Sequence, residues 1–329
     1  AFGIDKFDVI VGNPPFNKAQ EGIREGKGHK LWDKFVYSSF EVLNKNAYLG
    51  FIHPSSWRGA NNKLWDIMSK KQLLYLNIYS KKDGRKMFNV VSRFDVYILQ
   101  NKENTKHTEV IDELGNKHFL KLYEMPFLPN YGYKEINRIL TTQDNGINII
   151  YDTFYHNQKM SKTKTSTYNY PVVHSITKDG LGFIYSNTNT KGHFDVSKVI
   201  LNINEHQYSH PEQNDYEGKY GMSNNSFGIP INSKREGELI LKAIDTPEFK
   251  KIIAGTKWGA FQTDYRMFKY FKKDWYKILL KQASKTKSKT RKANSQTKKQ
   301  SKTKKKMRSL TLPPKTRKRS KSRTNNKST

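Results

Sequence analysis

The sequence predicts an α/β domain over residues 1–101, an irregular α+β region over residues 102–280 and a disordered basic tail over residues 281–329. Short apolar runs alternate with amphipathic helical patterns in the first region, which is typical of an α/β sheet. Short mixed segments separated by Gly, Pro, Asn and Thr clusters fill the second region. The third contains 20 Lys and Arg, no Asp or Glu and no aromatic residue, a composition that favours disorder.

The elements of the first region are expected from apolar patterns and from the residues that end them. The run Phe7–Val11 is a strand, and Asn13-Pro14-Pro15 ends it because proline cannot donate to a ladder. A helix is predicted over residues 31–43, with a buried face formed by Leu31, Phe35, Ser38/Ser39 and Val42. Further strands are predicted at 48–52, 73–79 and 95–100, and a further helix at 61–70.

The strand Phe7–Val11 also bears on how the chain is organised. Strands this apolar are usually buried in the centre of a sheet, with neighbours on both sides. We therefore expect that the chain is a fragment, or a reading frame that lacks its upstream half.

The second region offers fewer clear patterns. Strands are predicted at 118–123 and 182–186, and helices at 133–140 and 236–244. A helix is also predicted at 247–253, with Thr246 as its N-cap and Pro247 at its first position.

The charge of the chain points to a polyanionic partner. There are 60 Lys and Arg against 29 Asp and Glu, a net charge of +31. The tail contributes +20, and the remaining 280 residues contribute +11. Nucleic acid is the simplest partner for such a chain, and the tail is expected to bind phosphates without sequence preference.

Other classes of protein are excluded or disfavoured. No stretch approaches the ~18–20 apolar residues that a membrane-spanning helix needs, and no signal peptide is visible. The chain has no cysteine, which excludes disulfide scaffolds, thiolate zinc sites and a cysteine nucleophile. We expect no membrane partner and no metal, and the oligomeric state is not predicted.

The turn Asn13-Pro14-Pro15-Phe16 carries the chemistry. Ligands in open α/β sheets bind at the carboxyl ends of the strands, which is where this turn lies. Asn13 offers a carbonyl acceptor, the prolines stiffen the turn and expose backbone carbonyls, and Phe16 offers a flat face. Two acceptors beside a ring suit an exocyclic amino group on a planar heterocycle. The alternative is a Pro-Pro turn with an incidental asparagine.

The order of elements resembles the γ-class, TaqI-like adenine-N6 DNA methyltransferases of restriction-modification systems and large DNA viruses. The resemblance covers about 95 residues. It comprises the Asn13–Phe16 turn, the helix beginning at Leu31, the strand Tyr48–Ile52 closing on Pro54-Ser55-Ser56-Trp57, the segment Lys86–Ser92 and the strand Phe94–Leu99. It implies that residues 1–101 are the C-terminal half of a Rossmann-like methyltransferase sheet and that residues 102–280 recognise the DNA target.

The resemblance also implies residue roles. Asn13 and the carbonyl of Pro14 would hold the amino group of an adenine flipped out of duplex DNA, in the turn that Pro15 completes. Phe16 would stack on this base, and Phe88 would support it from its edge or its other face. S-adenosylmethionine would supply the methyl group, with Asn13, Leu31 and Asp33 on the side of the cofactor.

The sequence departs from this family where the cofactor should bind. The family's glycine-rich turn and the acidic residue after the next strand precede the catalytic turn, and neither is present here. Asp179-Gly180-Leu181-Gly182 could be read as a displaced cofactor loop, but a strand-like segment follows it instead of a helix.

Candidate DNA contacts outside the catalytic turn lie at the end of the second region. Aromatic, amide and basic residues are interleaved there, and such side chains bind phosphates and base edges. The basic candidates are Lys234, Arg235, Lys257, Arg266, Lys269, Lys272 and Lys273. A solvated basic face is the alternative.

Two further functions stay open. The same turn serves methylation of RNA or of a protein glutamine amide, although glutamine enzymes end soon after the sheet. A non-catalytic DNA-binding remnant without the cofactor half is the third hypothesis. We expect an intracellular protein, and Lys315–Arg319 resembles a nuclear localisation signal, of a kind more usual in eukaryotic or large-virus proteins.

Overall fold

The computed structural model describes residues 5–16, 30–203, 208–259 and 262–285. The chain divides into two units, Ala1–Lys281 and Gln282–Thr329. The tail predicted to be disordered therefore lies almost wholly outside the described residues. No helix in the described ranges is long and apolar enough to cross a membrane.

Helices and strands alternate in the first hundred residues and are more mixed thereafter. The helices of the described residues include α1 (Trp32–Val42), α2 (Lys63–Met68), α3 (Lys81–Phe88), α4 (Tyr133–Asn137), α5 (Lys234–Ile244) and α6 (Pro247–Gly255). The strands are β1 (Phe7–Gly12), β2 (Leu43–Pro54), β3 (Lys71–Tyr79), β4 (Phe94–Glu103), β5 (Thr108–Ile111), β6 (Lys117–Leu120), β7 (Tyr170–Thr177), β8 (Gly180–Ser186), β9 (Lys198–Asn202), β10 (Asn214–Asp215), β11 (Gly221–Met222) and β12 (Ser226–Pro230).

The first six strands form one mixed sheet, in the order β1-β2-β4-β3-β5-β6. β1 is parallel to β2 and β5 is parallel to β3, whereas β4 is antiparallel to both of its neighbours. The predicted α/β class is confirmed. The sheet continues to Leu120, beyond the boundary expected at residue 101, because β5 adds to the edge of β3.

α1 forms where it was predicted but buries another face. Trp32, Val36 and Ser39 are buried, whereas Phe35 is 44% exposed and Val42 is 37% exposed. β2 begins directly after the last residue of α1, without a loop. This connection turns Trp32, Val36 and Ser39 toward the sheet. The predicted buried face of Phe35 and Val42 is therefore wrong.

β1 is the outermost strand of the described sheet and not a central one. One side pairs with β2, and no strand pairs with the other side within the described ranges. Phe7, Val9 and Val11 are 48%, 59% and 75% exposed. These side chains line an apolar groove together with Phe35 of α1. The expectation that this strand belongs in the centre of a larger sheet stays a prediction.

The second region contains two small sheets, β10-β9-β12 and β11-β7-β8. Its main core packs β9, β12, α5 and α6 around an aromatic cluster that includes Phe249, Phe268 and Trp275. The predicted α5 and α6 are confirmed, and the hydroxyl of Thr246 accepts a hydrogen bond from the Phe249 backbone N–H at 3.3 Å as the expected cap. Sequence patterns did not indicate β7, β9 or β12.

Candidate functional site at one edge of the sheet

The strand register brings three connections of the first region to a single edge, at the carboxyl ends of β1, β2 and β3. β1 ends at Gly12, which pairs with Phe51 of the parallel strand β2. At the same edge β2 ends at Pro54, which pairs with Phe94 at the start of β4, and Phe94 also pairs with Tyr79 at the end of β3. The turn after β1, the segment after β2 and the connection between β3 and β4 therefore meet at this edge.

The Asn13–Phe16 turn presents its asparagine to solvent. Asn13 and Pro15 are exposed, Pro14 is buried and Phe16 is half-buried. The ring of Phe16 packs against the core cluster that contains Trp32 and Phe51. A Cβ at Gly12 would lie 3.2 Å from the Phe51 ring, so glycine lets the strand end close against the sheet.

Backbone and aromatic contacts brace the turn. The Leu31 N–H donates to the Phe16 carbonyl at 3.2 Å, which ties the turn to the start of α1. The next residue, Trp32, stacks on the buried His53 ring with centroids 4.5 Å apart. The end of β1 is thus linked through α1 to the end of β2.

His53 is held neutral beneath this edge. Its Nδ1 lies 3.1 Å from the Pro54 carbonyl, which can only accept, so Nδ1 carries the proton. Its Nε2 accepts from the Tyr97 hydroxyl at 3.1 Å. Desolvation lowers the pKa of His53 to about 4. A neutral imidazole with both nitrogens engaged serves as a packing element of the site.

A buried ion pair fixes the segment that follows β2. Asp95 accepts hydrogen bonds from the side chains of Ser55, Trp57 and Arg58 at 2.6–3.2 Å. Arg58 also donates to the Leu128, Pro129 and Asn130 oxygens at 2.7–3.1 Å. Both charged side chains are 0% exposed. Arg58 therefore joins the site edge to the chain that leads into the second region.

Phe88 lies at the last residue of α3, at the same edge as Asn13. The helix starts with a capping box, in which the Ser80 and Asp83 side chains each accept from the other's backbone N–H. Phe88 is half-buried and meets Phe94 edge-to-face with centroids 5.0 Å apart. The edge-to-face contact with Phe94 gives Phe88 a structural role in the fold. Its contact with a base stays a prediction.

The residues expected on the cofactor side occupy the start of α1. Leu31 is half-buried and provides the N–H bound by Phe16, and the Asp33 carboxylate accepts from the Lys34 N–H at 2.9 Å. Gly180 and Gly182 lie in the hairpin of β7 and β8, where a Cβ on Gly182 would collide with Ser175. This hairpin is not a cofactor cradle, because both glycines belong to the strand β8 and no helix follows them directly.

The candidate DNA-binding residues separate into three groups. Lys257 is buried, and its backbone carbonyl accepts from Asn130, so its position does not suit phosphate contact. Arg235 and Arg266 pair with Glu238 and Asp264, and Lys272 donates to the Arg138 carbonyl. The exposed or half-buried Lys234, Lys269 and Lys273 remain candidates. No group of three or more His, Asp or Glu side chains in the described ranges is placed to hold a metal ion.

Sequence reasoning missed the network that supports the site. Asp95 opens an otherwise apolar strand, and this isolated charge was the available signal that it meets a buried partner. Arg58 and His53 flank the Pro54–Trp57 segment that was singled out, but sequence alone does not show that their side chains turn inward.

Comparisons with known proteins match the part of the chain that contains this edge. Residues 1–88 match the profile of the Eco57I restriction-modification methylase family. An 84-residue segment is 33% identical to a Mycoplasma pneumoniae protein described as an uncharacterized adenine-specific methylase. The match covers 24% of this chain and only 19% of that relative's length.

Several solved structures show weaker likeness. The type IIL restriction-modification enzyme MmeI in complex with DNA has 10% identity and a TM-score of 0.44, covering 78% of this chain and 45% of that chain. The M protein of the type I restriction enzyme EcoKI has 15% identity and a TM-score of 0.26, covering 32% and 25%. A type I methyltransferase subunit from Streptococcus thermophilus has 15% identity and a TM-score of 0.25, covering 36% and 30%.

The family model matches the residues that form β1, the Asn13–Phe16 turn, α1, β2 and α3. Residues 1–88 of this chain thus match the model of the Eco57I restriction-modification methylase family, in the segment that contains the Asn13–Phe16 turn.

Proposed function

We propose that the chain provides the amino-group-binding turn and the DNA-binding surface of an adenine-N6 DNA methyltransferase. The observation that carries this proposal is the exposed Asn13 at the end of β1, within the segment that matches restriction-modification methylases. The edge on which it lies also carries Phe16 and Phe88, two aromatic side chains near the ends of neighbouring elements.

Asn13 and Pro14 would bind the exocyclic amino group of the target adenine. Two carbonyl acceptors hold its two hydrogens, which draws the nitrogen lone pair out of conjugation with the ring and makes the nitrogen nucleophilic. S-adenosylmethionine, when bound, would supply the methyl group, with its sulfonium C–S bond breaking as the N–C bond forms. The proton that the amino group loses would pass from its hydrogen bond with the acceptors to water. The stiff Pro14-Pro15 pair and the bond from Leu31 to the Phe16 carbonyl keep the acceptors in place before the base arrives.

The target adenine must leave the duplex to reach Asn13, because its amino group is otherwise paired. Phe16 and Phe88 would receive the extruded base. Stacking on an aromatic side chain is worth roughly 1–3 kcal/mol per base, which offsets much of the unstacking cost. Both rings are half-buried, so each retains an accessible part while the fold holds its position.

A non-catalytic DNA-binding protein is the second candidate. It is favoured by the basic charge of the chain, +11 over residues 1–280, which suits DNA binding whether or not methyl transfer occurs. The intact Asn13–Phe16 turn opposes it, because DNA binding alone does not require this pairing of amide and carbonyl acceptors with an aromatic ring. Methylation of a protein glutamine is disfavoured by the long second region, which a small peptide substrate does not require.

The test measures transfer of labelled methyl groups to unmethylated duplex DNA. It uses the full chain and a chimera in which the matched segment replaces its counterpart in the Mycoplasma pneumoniae relative. We expect label in DNA, and a loss of at least about 100-fold with Asn13→Ala, the scale for removing one preorganised polar group from a reacting centre. Asn157→Ala, at an exposed asparagine of the second region, is the matched control in the full chain. Asn46→Gly is the control in the chimera, because Asn46 is exposed, lies in the matched segment and has a left-handed backbone that glycine also adopts.

Two outcomes would reject catalysis. One is the absence of label in DNA with both proteins, and the other is label that is unaffected by Asn13→Ala. DNA binding that persists in either case would favour the non-catalytic candidate. Label that appears in RNA but not in DNA would assign the turn to another polynucleotide.

A further inference from the structure

An exposed apolar tip is formed by the last turn of α3 and the loop after it, at the same edge as the Asn13–Phe16 turn. It consists of Met87, Val90 and Val91, which are 55%, 44% and 46% exposed. The tip lies between α3 and β4, and β4 begins beside the end of β2. Neither the predicted base-stacking role of Phe88 nor the core of the sheet uses these three side chains.

The backbone holds the tip in one conformation. Asn89 ends α3 in the left-handed conformation, and its N–H donates to the Arg85 carbonyl at 3.1 Å. The Val90 N–H then donates to the Gly84 carbonyl at 3.3 Å. Gly84 permits this approach, because a Cβ there would collide with the Ser92 and Val90 carbonyl oxygens. The loop is therefore pressed against the helix, and its valines are presented outward.

The far side of the tip is anchored as well. Arg93 makes a two-pronged ion pair with Glu113 at 3.0 and 3.1 Å. The Arg93 carbonyl accepts from the Ser55 N–H at 3.3 Å, which ties the loop to the end of β2. Such anchoring costs no ordering entropy when a partner binds.

Basic side chains beside the tip favour duplex DNA as its partner. Lys82, Arg85 and Lys86 are exposed on α3, whereas the helix's single acid, Asp83, is engaged in the capping box. An apolar projection flanked by cations matches duplex DNA, whose phosphates surround a stack of apolar base faces. DNA-bending and minor-groove proteins insert Met, Leu, Ile or Phe between bases in this way.

We propose that the apolar tip of Met87, Val90 and Val91 enters the DNA stack and fills the space left by the extruded adenine. This inference rests on the proposed function, since it requires a base that leaves the duplex. The tip would stabilise the opened duplex, while the Asn13–Phe16 turn holds the base itself. Aliphatic side chains suit a gap about 3.4 Å deep, the rise of one base along a strand.

The test is competition binding of the full chain to two short duplexes of the same sequence. One duplex is intact, and in the other a single adenosine lacks its base. Because the basic tail binds both duplexes alike, their ratio cancels its contribution. We expect a preference of about tenfold for the abasic duplex, equivalent to ~1.4 kcal/mol, because the tip fills a gap that is already open.

Val90→Ser/Val91→Ser should reduce this preference to about twofold or less, and Met87→Ser should reduce it partly. The matched control is Leu74→Ser/Ile98→Ser, which replaces two exposed apolar residues in the middle of β3 and β4, 37% and 46% exposed. This control should retain the full preference. An abasic preference that survives in the tip variant, or one that is absent in the wild type, would overturn the inference.

The failure of this inference can be told apart from that of the proposed function. Asn13→Ala should keep the abasic preference, because no base is present to be held. If the chain methylates DNA but the tip variant binds both duplexes as the wild type does, only the tip inference fails, and the tip is then a surface for protein contact. If the preference depends on the tip but Asn13→Ala leaves methylation unchanged, only the assignment of Asn13 fails.

Discussion

The buried Arg58–Asp95 pair offers a sharp test of how the site edge is held. Asp95→Asn keeps the size of the side chain and removes its charge. Four hydrogen bonds converge on the two Asp95 carboxylate oxygens, two of them from Arg58 and one each from Ser55 and Trp57. An amide offers one oxygen in place of two and turns an N–H₂ group toward these donors.

The expected cost follows from burial. Both charged side chains are 0% exposed, so water cannot replace the lost acceptor. Removing one partner of a buried ion pair costs about 3–5 kcal/mol, because the remaining charge stays buried. Total stabilities are typically about 5–15 kcal/mol, so the loss is a large share of the whole. We expect the free energy of unfolding to fall by about 3–5 kcal/mol.

The assay is urea unfolding at equilibrium, followed by circular dichroism, because the fluorescence of Trp57 reports on the mutated network itself. Asp245→Asn is the matched control, since Asp245 pairs with Lys250 at 2.6 Å while both are more than half exposed. An exposed pair of this kind is worth about 0–1 kcal/mol. A loss of less than about 1 kcal/mol for Asp95→Asn would refute the reasoning, as would an equal loss for the control.

Three further predictions concern other parts of the chain. The folded pKa of His53, about 4, lies below its unfolded value of 6.5, so the unfolded state binds a proton that the folded state excludes. The free energy of unfolding, measured by urea unfolding, should therefore fall by up to about 3 kcal/mol as the pH drops from 7 to 4. His53→Gln should flatten this part of the pH profile. A variant with the same pH profile as the wild type would contradict this prediction. Thr246→Ala should lower stability by about 1 kcal/mol because the Phe249 N–H at the start of α6 loses its cap, and Thr246→Ser should restore it in the same assay. Deleting residues 282–329 should weaken binding to random-sequence DNA and flatten its dependence on salt, because most of the 20 basic residues after 280 are removed; a salt slope equal to that of the full chain would be the contrary result.

Particular residues show how far the sequence could predict the fold. Apolar runs ended by proline or by charged residues located β1, β2, β3 and β4 within a few residues, because strand formation depends on local side-chain pattern. α5 and α6 were located for the same reason, and Thr246 is the N-cap that was predicted for α6. The face that α1 buries was predicted wrongly, because that choice depends on how β2 leaves the helix and not on the helix itself.

The candidate site likewise has parts that the sequence predicts and parts that depend on the fold. The sequence by itself determined the Asn13–Phe16 turn, because two prolines after an apolar strand leave the chain few conformations and make the chemistry visible in four residues. The fold was needed to show that Phe88, the apolar tip and the Arg58–Asp95 pair lie at the same edge as this turn, since strand register and not sequence distance places them there. The fold also showed that the described β4 runs antiparallel between β2 and β3, because strand direction depends on the connections between strands and not on the composition of any one strand.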